Sequence, residues 1–317
     1  MATTEQPLVS IVVPTFNRLP YLREALQSVF AQGWPHWELL LADDGSDPDT
    51  RAYLQGLQQA SRVRVLSLPH SGNPPRVRNQ ALRYARGEFV AFLDSDDVWL
   101  PNKLERQLQS LRDRPHCQWS YCAFRMVDAQ LKPLHRSINF IAEGGWIAPA
   151  LMNLTTTIVQ SSVVMRRDFL HQVGPYDERL PICGDYELWA RCALKSAADC
   201  VGEPLLLVRR HAAHYCDDVA ACRDFTRALD LIRPYTTDTA LRSILHRQRA
   251  IAAATLARSQ AVSRRPLDAW ATLLATAPRS WRHKQWWPLA LAAVTRTLLP
   301  PLLPSALRRL WQREHRC

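Results

Sequence analysis

Two acidic clusters and a later acidic pair are the residues of this chain whose types and spacing could do chemistry. Asp43-Asp44-Gly45-Ser46-Asp47 and Asp94-Ser95-Asp96-Asp97 each follow a short apolar run, and Asp185 and Glu187 open a third acidic stretch. Mg2+ and Mn2+ prefer oxygen ligands and bind through one or two carboxylates plus phosphate oxygens. Held that way, the cation neutralises charge developing on a departing phosphate. Asp96 is the expected main ligand, supported by Asp94. The same residue types also form turns and helix caps, and each cluster taken alone fits that reading equally well.

The elements that must position these carboxylates follow from periodicity. Val9 to Pro14 is a β-branched run ended by proline, the pattern of a strand buried on both faces. Tyr21, Leu22, Ala25, Leu26, Val29 and Phe30 then recur at helical spacing up to Gly33. Strands are predicted over Glu38–Ala42, Val63–Ser67 and Phe89–Leu93, with helices over Asp49–Gln59 and Val77–Ala85 between them. Such βα units imply a parallel sheet covered by helices, with ligands at the carboxyl ends of its strands. Both acidic clusters fall there, so their side chains are expected to converge in one crevice. Further on, a helix is predicted over Lys103–Arg114, strands over Gln118–Phe124, Thr157–Met165 and Leu205–Arg209, and a helix over Asp185–Leu194.

The motifs carry a resemblance. Ser10-Ile11-Val12-Val13-Pro14-Thr15-Phe16-Asn17-Arg18, the Asp43 cluster, Arg78-Asn79, and Gly87 to Asp97 resemble, in order and spacing, the family 2 glycosyltransferases. The resemblance covers roughly residues 8 to 215. It implies an α/β fold of the nucleotide-diphospho-sugar transferase (GT-A, Rossmann-like) type, with a mostly parallel sheet sandwiched by helices. It also implies inverting transfer of a sugar from a nucleotide-diphosphate donor, a UDP-sugar, to a hydroxyl acceptor on a glycan or lipid-linked glycan in surface polysaccharide or glycolipid assembly. By position, Pro14, Thr15 and Asn17 meet the nucleotide, Asp43 accepts a hydrogen bond from the uracil, and Arg78 holds the nucleotide side of the donor. Asp94 and Asp96 match the metal and ribose motif, with Mn2+ or Mg2+ as cofactor. Inverting transfer needs a base for the acceptor hydroxyl. The stretch from Val173 to Trp189 resembles the family's acceptor-side motif and makes Asp185 that base. The family often has an acid just before it, whereas this chain has Gly184. Asp185 equally suits an N-cap. His211 and His214 follow the last predicted strand, where related folds sometimes place a histidine on metal or phosphate; neither is assigned, and contact of Arg209 with the diphosphate is a further possibility.

Composition bounds the rest. At 317 residues, 47% hydrophobic and 22% charged, the chain suits one large α/β domain with an appendage. The expected division is a catalytic domain over 1–219 and a basic helical region over 220–317. That region holds 17 Arg or Lys against 5 Asp or Glu, so the net charge of +11 resides there. No nucleic-acid-reading motif accompanies it, so no nucleic-acid partner is expected. Eight cysteines without a CxxC pair, and a polar N-terminus, point to buried reduced thiols in the cytoplasm. Prolines and Arg296 interrupt the apolar stretch from Pro288 to Pro304, so it is not expected to span a bilayer. Its tryptophans and arginines suit either peripheral attachment to an anionic membrane surface or a helical lid on the catalytic domain. A nucleotidyltransferase would need a Gly-rich first loop and a dehydrogenase a GxGxxG, and neither is present. A non-catalytic scaffold would have lost the carboxylates.

Overall fold

A computed structural model describes residues 6–134, 144–211, 218–263, 265–281 and 283–302. The chain divides into two compact units, Met1–Tyr215 and Cys216–Cys317.

The first unit opens with three strand–helix repeats: β1 (Val9–Thr15), α1 (Leu19–Phe30), β2 (Trp37–Asp43), α2 (Pro48–Leu57), β3 (Val63–Ser67) and α3 (Pro74–Leu82). Next come β4 (Phe89–Phe92), β5 (Val98–Trp99), α4 (Lys103–Asp113), β6 (Trp119–Val127) and α5 (Ala148–Met152). The unit ends with β7 (Val164–Arg166), α6 (Arg167–Val173), α7 (Gly184–Lys195) and β8 (Ala198–Arg209). One eight-stranded sheet results, in the order β3-β2-β1-β4-β7-β6-β8-β5. From β3 to β4 every pairing is parallel. Beyond β4 the sheet is mixed, because β7 runs antiparallel to both neighbours and β5 runs antiparallel to β8. β1 is flanked by β2 on one side and β4 on the other, so the order reverses there and opens a crevice at the strands' carboxyl ends.

The sequence explains most of this. All seven residues of β2 are buried, the apolar stretch Leu39–Ala42 as a two-sided sheet requires, with Glu38 and Asp43 buried at its ends. Helix α3 starts earlier than its apolar periodicity indicates, because Pro74 takes the first helical position and the Asn73 side chain accepts from the Arg76 N–H at 3.1 Å.

The strand predicted over 157–165 is largely absent. Its place is taken by a 3₁₀ turn at Gln160–Ser162 and the three residues of β7. Here hydroxyls compete with the ladder: Ser162 Oγ donates to Val159 O, and Ser161 Oγ donates to Asp97. β8 is longer than predicted, since Gly202 and Pro204 broke its pattern; the structure absorbs them in register shifts against β6 near Ala123.

The core lies between the sheet and its helices. On one face Ile11, Leu39 and Leu41 pack against Leu22, Leu26 and Val29 of α1. Elsewhere Trp189 of α7 stacks on Trp119, with ring centroids 6.0 Å apart, and meets Phe92 edge-on at 5.8 Å. Large buried rings of this kind contribute most of an element's anchoring, and they fix the helix that begins at Gly184.

The second unit consists of α8 (Asp218–Ile232), α9 (Thr239–Val262), α10 (Pro266–Ser280) and α11 (Trp286–Leu302). Its small core is mostly alanine: Ala250, Ala254 and Ala257 of α9 meet Ala269 and Leu273 of α10 and Ala290 and Ala293 of α11. Among the described residues no helix is long and apolar enough to cross a membrane.

Candidate active site

The crevice beside β1 is an open cleft of about 290 Å3, lined among others by Pro14, Thr15, Arg78, Asp94 and Asp96. Its shape depends on loops that lock together. Asn17 and Arg18 both have left-handed φ, 56° and 59°, a costly conformation for residues with side chains. Two bonds hold them: the Asn17 N–H donates to Ser46 Oγ at 2.7 Å, and the Asp47 N–H donates to Asn17 Oδ1 at 2.8 Å. Asp43 is buried beneath, where its Oδ1 accepts from the Ser46 N–H at 3.0 Å. Asn17 and Asp43 therefore shape the first two loops and are not among the lining residues.

Asp44 does line the cleft, and its carboxylate accepts from the backbone N–H groups of Ser71 and Gly72 and from Ser71 Oγ. This ties the loop after β3 to the loop after β2. Gly45, at φ 77°, has no substitute, since a Cβ would stand 2.9 Å from the His70 nitrogen.

Asp96 sits where these loops meet the end of β8. Arg18 donates to its Oδ2 at 2.7 Å, and His211 Nε2 lies 3.1 Å from the same oxygen. The imidazole is enclosed and leans on the Tyr21 ring at 4.9 Å. The Asp96 carboxylate lines the cleft and is the kind of oxygen donor that suits Mn2+ or Mg2+ with phosphate oxygens completing the sphere, and the His211 nitrogen stands beside it. No cluster of three His, Cys, Asp or Glu able to hold a metal occurs among the described residues, so Asp43, Asp96 and Asp185 are not gathered around one point. Asp97 lies behind Asp96, where burial and then the neighbouring charges of Asp96 and Asp94 push its carboxyl well above the usual range. Ser161 Oγ and the Arg209 N–H donate to it.

Arg209 does not face the cleft. Its guanidinium is fully buried, donating to the carbonyls of Asp96 and Ala129 and to Glu24, with Tyr21 beneath it. The possibility that Arg209 contacts a diphosphate is thereby overturned, because its donors are spent on holding the Asp96 loop. His214 lies outside the described residues.

A second hollow, about 130 Å3, adjoins the first and is lined by Gln160, Ile182, Gly184 and Asp185. The two share Pro74, Arg78 and Asp94. Arg78 Nη2 donates to Asp94 Oδ1, so this ion pair forms the wall between them. Asp185 is the second residue of α7, not its N-cap, which is Cys183. Its Oδ1 accepts from the Tyr186 N–H at 2.7 Å. Burial among the hollow's walls pushes its pKa up to about 6, against the opposing pull of that hydrogen bond and of Arg78. Glu187, the other acid of the stretch, is buried in a bidentate pair with Arg191, whose guanidinium also donates to the carbonyls of Val173, Gly174 and Pro175. That pair closes the loop before α7. Asn79 holds the loop from the other side, donating to Tyr176 O and accepting from its N–H.

Gly184 has a steric cause. A Cβ there would lie 2.8 Å from Pro75 Cγ, so α7 begins against α3 with no room for a side chain. With glycine at 184 no acid stands immediately before Asp185, and its raised pKa comes from enclosure.

Residues 10–174 match the family described as Glycosyl transferase family 2. The chain belongs to glycosyltransferase family 2. Among its relatives is TuaG of Bacillus subtilis (strain 168), named as a teichuronic acid biosynthesis glycosyltransferase, 37% identical over 138 residues. The match takes in 43% of this chain and 54% of TuaG. WfgD of Escherichia coli, named as a UDP-Glc:alpha-D-GlcNAc-diphosphoundecaprenol beta-1,3-glucosyltransferase, is 40% identical over 104 residues, 33% of this chain and 41% of WfgD. The matched stretch thus spans about half the length of these relatives. The fold is that of solved GT-A transferases. S. aureus TarS 1-349 in complex with UDP aligns with TM-score 0.63 at 18% identity, covering 90% of each chain. The mannosyltransferase PcManGT from Pyrobaculum calidifontis, in complex with GDP-Man and Mn2+, aligns with TM-score 0.59 at 19% identity, over 98% of this chain and 89% of that one.

Within this family-2 site, sequence reasoning missed Phe16 and His70. Their rings stack at 4.1 Å with 21° between planes and line the first cleft. A histidine in the loop after β3, at the same sheet edge as the acidic turns, was the available signal. Gln160 was missed too: its Nε2 donates to Tyr176 Oη at 2.7 Å and its buried Oε1 has no partner.

Proposed function

We propose that this chain moves a sugar from a nucleotide-diphosphate donor, a UDP-sugar, to a hydroxyl of a glycan or lipid-linked glycan in surface polysaccharide or glycolipid assembly, with inversion. The observation that carries the reading is the pair of hollows divided by Arg78 and Asp94. Donor and acceptor in an inverting transfer approach the anomeric carbon from opposite sides, and each needs its own polar group.

The donor belongs in the first cleft, against Pro14, Thr15, Arg78, Asp94 and Asp96, with Asn17 and Asp43 fixing the loops beneath. Asp96 and His211 would hold Mn2+ or Mg2+, which when bound supplies positive charge to the diphosphate as it leaves. Arg78 sets a second positive charge at the boundary and orients Asp94. On the far side Asp185 takes the acceptor hydroxyl's proton. A base whose pKa is near 6 is ionised at neutral pH yet basic enough to share a proton in the transition state.

The names of WfgD, which cites UDP-Glc, and of the TarS complex with UDP favour a uridine nucleotide. The TuaG and WfgD names place those proteins in envelope polymer synthesis. The basic tryptophan-bearing second unit fits peripheral attachment to the inner face of an anionic membrane, where a lipid-linked acceptor would be presented.

A thermal-shift screen of nucleotide sugars with Mn2+ tests the reading, since a ligand at 100 times its Kd adds about 2.7 kcal/mol to the native state. A UDP-sugar should raise the melting temperature with Mn2+, and the rise should vanish in Asp96→Asn. Absence of any shift across the set would count against it.

A further inference from the structure

Helices in a globular unit ordinarily turn bulky apolar side chains inward and small or polar ones outward. In the second unit, α10 and α11 keep only part of their bulky apolar side chains inside and turn others outward. α10 buries Ala269 and Leu273, while its outward stripe of Leu267, Ala271, Leu274 and Ala275 recurs at helical spacing. Leu267 is 83% exposed and Leu274 70%. α11 buries Trp286, Ala290 and Ala293, and turns out Trp287, 53% exposed, and Leu291, 62% exposed. Trp281, in the connection between the helices, is 53% exposed, and its carbonyl accepts from Trp287 Nε1 at 2.9 Å. Apolar side chains this large, gathered on adjoining helices, mark an interaction surface and not ordinary surface scatter.

We propose that this leucine–tryptophan face lies in the headgroup region of an anionic bilayer, α10 and α11 flat on the surface with Leu267, Leu274, Trp287 and Leu291 inserted. The proposal rests on the peripheral attachment put forward above and names the surface that makes it. Charge selects this occupant. Residues 220–317 hold 17 Arg or Lys against 5 Asp or Glu. Arg265, just before α10, and Lys284, just before α11, are exposed, as is Arg258 in the last turns of α9. An apolar stripe flanked by cations, with indoles beside it, matches acyl chains beneath negative headgroups. Among the described residues neither helix qualifies as a membrane span, so the contact proposed is interfacial.

The test is co-sedimentation of the full chain with phosphatidylglycerol-rich vesicles and with phosphatidylcholine vesicles at low salt. The wild type should bind the first, bind the second poorly, and be released by salt. The variant Leu267→Ser/Leu274→Ser/Leu291→Ser should bind the first at least about tenfold more weakly. Its circular dichroism and melting temperature should match wild type, because these side chains are exposed. Leu274→Met, which keeps the apolar bulk, should bind like wild type and guards against a folding artefact. A serine variant that binds as tightly as wild type would sink this surface while leaving peripheral attachment in place. A wild-type chain indifferent to anionic vesicles would remove both. A serine variant that converts a dimer to a monomer would show the face to be covered by a second copy, and would overturn the proposal. UDP release from a UDP-sugar, measured in parallel, reports on the transfer reading independently.

Discussion

Asp185 carries the sharpest residue-level expectation, because its pKa of about 6 lies inside the working range of an enzyme assay. Only the ionised carboxylate can accept the acceptor's proton, so kcat/KM should be level above pH 7 and fall about tenfold per unit below pH 6. A pH–rate profile without an acid limb near 6 would remove Asp185 as the base. Sequence alone marked this residue through its motif but not its tuning, which comes from enclosure by chain segments distant in sequence. The same holds for Asp96. Its place in an Asp-Ser-Asp-Asp turn was legible, whereas its pairing with Arg18 and His211 needs the left-handed turn after β1 and the far end of β8 to arrive together. Asp43 was the acid that the resemblance set against the uracil; both it and Asp44 are buried, and Asp44 is the one among the residues lining the cleft.

Elements set where those residues stand, and the junction of α3 with α7 is the most exacting. Pro75 at the start of α3 touches Gly184 at the start of α7, and Asp185 follows immediately. In Gly184→Ala the new methyl must push the helices apart. Transfer should fall at least about tenfold, as misplacement of a catalytic group by about 1 Å does, while Trp189 keeps α7 anchored and the fold intact. Full activity in Gly184→Ala would show that this contact does not position the base. The parallel half of the sheet was readable because β1, β2 and β4 each hold a short, mostly apolar run between helical repeats. The mixed half was not. β7 is three residues long beside a serine-rich turn, β5 is two, and a β8 containing Gly202 and Pro204 gives little local signal. Those strands owe their place to partners elsewhere in the sheet.

On the scale of the whole molecule, the chain divides into two compact units, Met1–Tyr215 and Cys216–Cys317, and the excess positive charge of the sequence lies in the second. Helix content in the second unit was legible from its Ala, Leu and Arg composition. Which face of each helix turns outward was not, because an alanine-rich core leaves the apolar pattern ambiguous. In the first unit, the division of labour proposed across the Arg78–Asp94 wall would make binding and chemistry separable. The most direct measurement is therefore UDP affinity by calorimetry with Mn2+, beside the rate of sugar transfer, in Asp96→Asn and Asp185→Asn. Asp96→Asn should lose UDP affinity. Asp185→Asn should bind UDP as wild type does while its transfer rate falls by about 10²–10⁴-fold. Transfer at the wild-type rate in a folded Asp185→Asn, or unchanged UDP affinity in Asp96→Asn, would contradict the account.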